Sequence, residues 1–390
     1  MKRVLHVALI APNGYSNKGL MDGFLNGGFS EYHCFDFQLQ SFSIGRDLMH
    51  RALIHEAEKI KPDLIFCQVQ GSEILDLQTW EALSKLAFTV NYTFDIRTKE
   101  KTEWMYNLVP HIGLMCFSNQ EDVDECKRRG YNNAMCLQSS ADPDIYKPAE
   151  GVERKGVVFI GNNFCNTNME FPLSKERAEM VEFLQKEFPN DFKVYGNNWG
   201  DSKLVGQKEE VEIYQSAAVV INHNNFDVRE YTSDRLWRAV FCGAFVLTKY
   251  FGGIETMFDR DQVGWWRDFD GLKERVEYYL NKPERTRLRA ESAWQYALLN
   301  HTWSSRVKEM MAFIQDNLMD TRVWAFRTDG GEINTCIKAG VHVIDGVIPG
   351  QVSTEFEGEK VCDCKKLRGS WKDCGCGPEK TLQFRWEQNI

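Results

Sequence analysis

Twice along its 390 residues the chain runs through the same pattern, in which short, unbroken apolar stretches are each followed by a segment of helical periodicity. In the first half the apolar stretches are VLHVALI, HCFDFQL, DLIFCQV, FTVNYTF, IGLMCF and AMCLQ. Unbroken rather than alternating apolarity means strands buried on both faces, and helices between them supply the crossovers of a parallel sheet. In RDLMHRALIHEAEKIKPDLIFCQV, Leu48, Ala52, His55 and Lys59 share one helical stripe, and Pro62 stops the helix before its strand. The stretch SSADPDIYKPAEGVERKG, rich in Pro, Asp and Gly, breaks the pattern near residue 150 and reads as a linker. The pattern resumes with GVVFIGNN, FKVYGNNW, AAVVINHNN and AFVLT, covered by SKERAEMVEFLQKEF, GLKERVEYYLNK and PERTRLRAESAWQYALL. The expectation is an α/β protein with two Rossmann-like, doubly wound domains facing a cleft, at 1–150 and 151–320. From about Thr321, β-prone runs broken by Gly and Pro predict a small β-rich module over 321–390.

The length agrees with two cores rather than one. A net charge of −9 argues against a broad, sequence-independent grip on nucleic acid but leaves room for a local basic patch. The opening MKRVLHVALIAPNG has too short an apolar core for a signal peptide and reads as the first strand. No apolar run approaches the length that spans a bilayer, so a cytoplasmic protein with no membrane span is expected. Of the twelve cysteines, eight are scattered singly, several inside core strands, which fits reduced thiols.

In doubly wound sheets ligands sit beyond the carboxyl ends of the strands. The loops beginning at Asn13, Asp95, Gly161, Gly196, His223 and Lys249 are therefore the places to look, and they are rich in Asn and Gly. The segment REYTSDRLWRAVFCGAF describes a helix entered through Thr232, Ser233 or Asp234 and closed by Gly243. Its N-terminus, flanked by Arg235 and Arg238, is one candidate anion site; surface ion pairs with Glu230 and Asp234 are the alternative. Gly161 and Asn162 in FIGNN, followed by Lys175 and Arg177 at a helix start, form a second element. Gly252 and Gly253, just after a strand, form a third, and the three together suit a diphosphate. Neither a Walker motif nor a strand-borne G-x-G-x-x-G is present, which counts against P-loop hydrolysis and ordinary dinucleotide binding.

The run VVINHNNFDVREYTSDRLWRAVFCGAFVLTKYFGGIETMF through GLKERVEYYLNKPERTRLRAESAWQYALLNHTWSSRV resembles the donor domain of CgeB-like glycosyltransferases. Weaker similarity in KPDLIFCQVQ, VNYTFDIRT, SNQEDVDECKRRGY and DPDIYKP extends it over roughly residues 1 to 315. The resemblance implies a GT-B fold, a nucleotide sugar (a UDP-sugar first) on the C-terminal domain and a hydroxyl acceptor on the N-terminal one, in a bacterial or phage-infected cell. Many retaining GT-B enzymes carry two glutamates separated by seven residues, the first on the donor sugar and the second on the ribose. Glu230 matches the first; Arg238 stands at the second and cannot accept hydrogen bonds from ribose hydroxyls. Arg235 matches the arginine that the CgeB-like pattern places on this helix.

For the chemistry, Arg177, Arg235 and the Gly252–Gly253 amides are candidates to stabilise a leaving diphosphate, with Gly196, Thr232 and Ser233 beside them. Asp95 in YTFDIRT is the candidate base, and a helix-capping Asp or a partner of Arg97 is the alternative. His223 is read as a sugar or phosphate contact, or as a structural histidine. No Asp-x-Asp motif ends a strand, so metal-independent transfer is expected.

In the tail, Cys362, Cys364, Cys374 and Cys376 are enough for one structural zinc, with free thiols or disulfides as alternatives. The basic loop KKLRGSWKD between them suits either solvent or a polymer acceptor. Phage DNA glucosyltransferases also use GT-B folds, so a hydroxymethylated DNA base stands beside glycans, proteins and small molecules as acceptor. A nucleotide-sugar epimerase and a non-catalytic module binding sugar nucleotides or nucleic acid are the competing functions.

Overall fold

The computed structural model describes residues 3–9, 18–96, 99–202, 204–318, 324–327, 333–336 and 383–384. The chain divides into two compact units, Met1–Met310 and Met311–Ile390. In the first unit the opening domain runs β1 (Arg3–Ala8), α1 (Lys18–Asn26), β2 (Glu31–Asp36), α2 (Phe37–Ile44), α3 (Arg46–Ile60), β3 (Leu64–Cys67), α4 (Leu77–Leu86), β4 (Phe88–Thr93), α5 (Lys99–Leu108), β5 (Leu114–Phe117), α6 (Gln120–Arg128) and β6 (Ala134–Cys136). The following domain runs β7 (Lys155–Ile160), α7 (Ser174–Glu187), β8 (Phe192–Tyr195), α8 (Gln207–Ser216), β9 (Ala217–Asn222), α9 (Asp234–Phe241), β10 (Phe245–Lys249), α10 (Ile254–Met257), β11 (Gly264–Trp266), α11 (Phe269–Leu280), α12 (Pro283–Asn300) and α13 (Trp303–Phe313).

Both sheets are wholly parallel, as unbroken apolar strands require. Their orders are β2-β1-β3-β4-β5-β6 and β11-β10-β9-β7-β8. In the second sheet the order reverses between β7 and β9, so a crevice opens beyond their carboxyl ends, where Gly161 and His223 begin the loops. The first core gathers around Leu5, Leu53, Ile65, Trp80, Met115 and Phe117. The second domain has one cluster on each face of its sheet, around Trp237 and Val240 on one side and Phe159, Leu184 and Trp266 on the other.

Four local expectations need correction. HCFDFQL is not one strand: Asp36 Oδ1 accepts from the amides of Gln38 and Leu39, 3.0 and 2.9 Å away, and this N-cap turns residue 37 onward into α2. The buried face of α3 is Met49, His50, Leu53, Ala57 and Ile60, while Leu48 is 52% exposed, so the stripe lies one residue further along. That face carries the larger apolar volume, and burial decides the rotation. The short strand β11, in GWW, was not foreseen, since three residues give no readable periodicity.

The fourth correction concerns the linker, which is docked rather than loose. Ala141 and Tyr146 belong to a core cluster of the second domain, and the Tyr146 hydroxyl donates to Glu210 Oε2 at 2.9 Å. The return path is equally tight. The first turns of α13 lie on α1, where a Cβ on Gly23 would come within 2.9 Å of the Trp303 backbone and one on Gly27 within 2.7 Å of Val307. The Ser140 hydroxyl donates to the carbonyl of His301, joining the outgoing crossing to the returning one.

In the second unit, β12 (Trp324–Arg327) pairs antiparallel with β13 (Ile333–Cys336) and β14 (Gln383–Phe384), in the order β13-β12-β14. Cys362, Cys364, Cys374 and Cys376 lie outside the described residues, as do Asn13 and Arg97. No described helix is long and apolar enough to cross a membrane.

Candidate active site

At the switch point of the second sheet one side chain ties the two loops together. Arg177, in the first turn of α7 and fully buried, donates to the carbonyl of His223 at 2.6 Å and to that of Asn162 at 3.3 Å. It has no carboxylate partner among the described residues, and its Nε has no hydrogen-bond partner. Burial first, then the neighbouring Arg235, lowers its pKa well below the ordinary guanidinium range. The guanidinium therefore lies behind the loops and fixes their backbones. The loop after β7 is in turn locked to the one after β8: Asn162 Oδ1 accepts from Asn197 N at 2.9 Å, and the Trp199 indole donates to the Gly161 carbonyl at 2.6 Å. Gly196, at φ +124°, makes that approach possible, since a Cβ there would sit 2.4 Å from Gly161 O.

Helix α9 enters this crevice. Ser233 occupies its N-cap position, yet its hydroxyl makes no capping bond and has no partner, although its Oγ is buried. The entry is held instead by Asn224, whose amide donates to Tyr231 O at 2.8 Å and accepts from Ser233 N at 3.3 Å. Thr232 is buried, with its hydroxyl toward Ser233 O at 3.4 Å. Arg235 is half-buried in the first turn, and no hydrogen-bond or ion-pair partner meets it among the described residues.

Arg238 is different. Its guanidinium meets Glu210 Oε2 at 3.2 Å and Asp234 Oδ2 at 2.5 Å, and only 12% of its side chain is exposed. Of the two readings of Arg238, the ion pair with Asp234 is the one found and the expectation that it faces the donor is corrected: it also binds α9 to α8, beside Tyr146, because a buried Glu210 requires a fixed cation.

His223 takes the structural of its two expected places. Its ring is fully buried against Trp266, with Nδ1 2.7 Å from Asn224 O, so its support is structural. Its Nε2 stands 3.6 Å from Glu176 Oε1, too long for a hydrogen bond, and burial keeps the ring neutral. With His223 and Lys249 beside it, the Glu176 carboxyl is held down at about 2; the charged Lys249 is the firmer cause, given the neutral ring. Glu176 was missed beside this crevice, and Lys249 was named only as the start of a loop. A carboxylate directly before Arg177, and a lysine ending an apolar strand, were the available signals.

Glu230 lies in the loop before α9 with φ +58°, left-handed and unusual for a residue with a side chain. Its amide donates to Gly252 O at 2.6 Å, and a Cβ on Gly253 would fall 2.3 Å from Glu230 Cγ. The two glycines therefore form the seat over which the Glu230 stem passes. From the first domain, Asp95 follows β4, with its carbonyl accepting from the Thr93 hydroxyl at 2.9 Å. Burial and then the charge of Asp95 push the Tyr231 phenol far above its usual range. Gly161, Asn162 and Gly196 are thus joined at the carboxyl ends of β7 and β8, Thr232, Ser233 and Arg235 stand at the entry of α9, and Glu230 is seated on Gly252 and Gly253.

Residues 176–312 match the family model described as glycosyl transferase-like. The chain carries a glycosyltransferase-like domain on a GT-B fold, the equipment of a transferase enzyme. Among solved structures it is similar to Alr3699/HepE of Anabaena in complex with UDP-glucose, at 12% identity and a TM-score of 0.56 over 80% of this chain and all of that one. It is similar to sucrose-phosphate synthase from Thermosynechococcus elongatus, at 9% identity and 0.54, covering 82% of this chain and 100% of that chain. A glycosyltransferase from Rickettsia africae aligns at 9% identity and 0.51, covering 80% and 98%. No curated protein sequence matches the chain.

Proposed function

We propose that the protein transfers a sugar from a nucleoside-diphosphate donor, a UDP-sugar first, to a hydroxyl acceptor. The observation that carries this reading is Arg235: a half-buried cation without a partner among the described residues, in the first turn of a helix that enters the switch-point crevice. Behind it lies Arg177, buried, bonded to two carbonyls and without a carboxylate partner among the described residues. A diphosphate supplies the anion that both lack, and the amides of the Gly252–Gly253 turn add donors where charge develops on the leaving group. Glu230 contacts the donor sugar, and Asp95 takes the acceptor proton if configuration inverts. UDP complexes of Alr3699/HepE, solved with UDP-glucose and with UDP and glucose, support the donor class. Because Arg238 is committed to Glu210, the ribose is met by another group.

On this reading the chain is akin to the CgeB-like glycosyltransferases. Hydroxymethylated DNA is the polymer acceptor we favour testing first, because a basic loop in the tail suits a phosphate backbone. A structural zinc on the four tail cysteines would shape that loop, and elemental analysis with a Cys374→Ser control decides it. The central experiment incubates the protein with a panel of nucleotide sugars, with and without hydroxymethylated DNA or glycans. Donor-dependent product supports the reading; epimerised donor, or binding without turnover, overturns it.

A further inference from the structure

The loop that presents Glu230 is gripped from outside its own domain. Arg229 N donates to Glu121 Oε1 at 3.0 Å, and Arg229 O accepts from Gln120 N at 3.1 Å, both groups belonging to the first turn of α6. Glu230 O accepts from the side-chain amide of Gln138, just beyond β6. Only the Glu230 amide bonds within the second domain, to Gly252. Three of the four backbone groups of Arg229 and Glu230 are therefore satisfied by the first domain. The Arg229 guanidinium also pairs with Asp124, but at 47% and 42% exposure that pair contributes little.

Gln138 is the inner part of this grip. It is 8% exposed, and its Nε2 faces three acceptors, the Glu230 carbonyl, Ser118 O at 3.3 Å and Cys136 Sγ at 3.4 Å. Those neighbours decide the orientation of the amide, since only the NH₂ end can donate to them. A left-handed non-glycine residue persists only where its surroundings over-determine it. Here much of that determination comes from across the domain boundary, which a bond made solely for folding the second domain would not need.

We infer that Gln138 is a positioning residue for Glu230: it fixes the carbonyl of the left-handed peptide, so that the Glu230 carboxylate is aimed at the donor sugar only while the two domains are docked. The inference rests on the glycosyl-transfer reading above. Binding of the diphosphate, by groups wholly within the second domain, proceeds without the grip; recognition and reaction of the sugar require it.

The test uses the full-length protein with UDP and UDP-glucose as probes, in calorimetry and in UDP-glucose hydrolysis. Gln138→Met keeps the length and burial and removes the donor. UDP affinity should stay within about twofold of wild type, while the preference for UDP-glucose over UDP and the hydrolytic kcat each fall about five- to tenfold, the loss of one hydrogen bond. An unchanged preference and kcat in that variant overturns the inference alone. A wild type that binds no UDP overturns the donor reading and the inference together, and one that binds UDP-glucose no better than UDP removes the sugar contact. A second variant covers a misfolded Gln138→Met: Glu121→Ala, at an exposed position, takes the side-chain acceptor from Arg229 N and should lower kcat about threefold with UDP affinity kept. No loss in that variant overturns the inference as well.

Discussion

Arg177 donates to the carbonyl of His223 over 2.6 Å and so closes the second sheet's switch point with a buried guanidinium. Because the same side chain also reaches Asn162, one substitution should release both loops. In Arg177→Met, hydrogen exchange at 161–163 and 223–225 should speed up at least about tenfold while the strands keep their protection. UDP affinity should fall by a similar factor. Unchanged exchange in both loops would show that other bonds hold them.

Arg235 makes the opposite kind of contribution. With no partner among the described residues to lose, Arg235→Ala should leave the melting temperature within about 2 °C of wild type. Its charge-assisted contact to a diphosphate is worth about 1.5–3 kcal/mol, so UDP binding should weaken by roughly ten- to a hundredfold in calorimetry. A folded variant with full UDP affinity removes Arg235 from the donor site.

Arg238→Ala should be a stability variant. It strands Glu210, which is 6% exposed, and breaking such a pair costs about 3 kcal/mol. Denaturant titration should show that loss, with UDP affinity within about twofold of wild type. A large affinity loss at unchanged stability would return Arg238 to the donor.

The first domain sets an acid limit. His6 is fully buried; its Nε2–H donates to Gln68 Oε1 at 3.0 Å, and Nδ1 accepts from the Tyr32 hydroxyl, an arrangement that needs a neutral ring. Burial lowers its pKa from 6.5 to about 4. Between those values the unfolded chain binds the proton and the folded one does not, so stability is complete above about pH 6.5 and declines as pH falls toward 4. The decline from this one group is of the order of 3 kcal/mol. His6→Asn should be less stable at pH 7 but show a flatter acid slope in urea titrations at pH 7, 6, 5 and 4.5; an unaltered slope assigns the acid sensitivity elsewhere.

Most strands were legible because each is a continuous apolar run, and a sheet buried on both faces leaves that mark whatever its neighbours are. Helix α9 was legible for a similar local reason, with polar residues before it and Gly243 after it at φ +68°. What escaped reading depends on partners distant in the chain. Arg238 reads equally as a phosphate ligand or as a partner of Asp234, and only the fold brings Glu210, 28 residues away, beneath it. Gln138 and Glu230 are separated by 92 residues, and no spacing rule joins them. His223 begins a ligand-side loop, as the strand end requires, and the choice between its two readings falls to a rotamer that turns the ring into the core, which the sequence does not display.

The two crossings between the domains, at Ser140 and at His301, are bonded to each other. They make a hinge of two plies pinned at one place, like the spine of a book. Such a spine permits the covers to open and shut but resists shear, because sliding one cover along the other would draw the plies past their pin. Away from that spine, the Arg229–Glu230 loop is stitched to the opposite cover by Gln120, Glu121 and Gln138, so opening the book would first have to part those stitches.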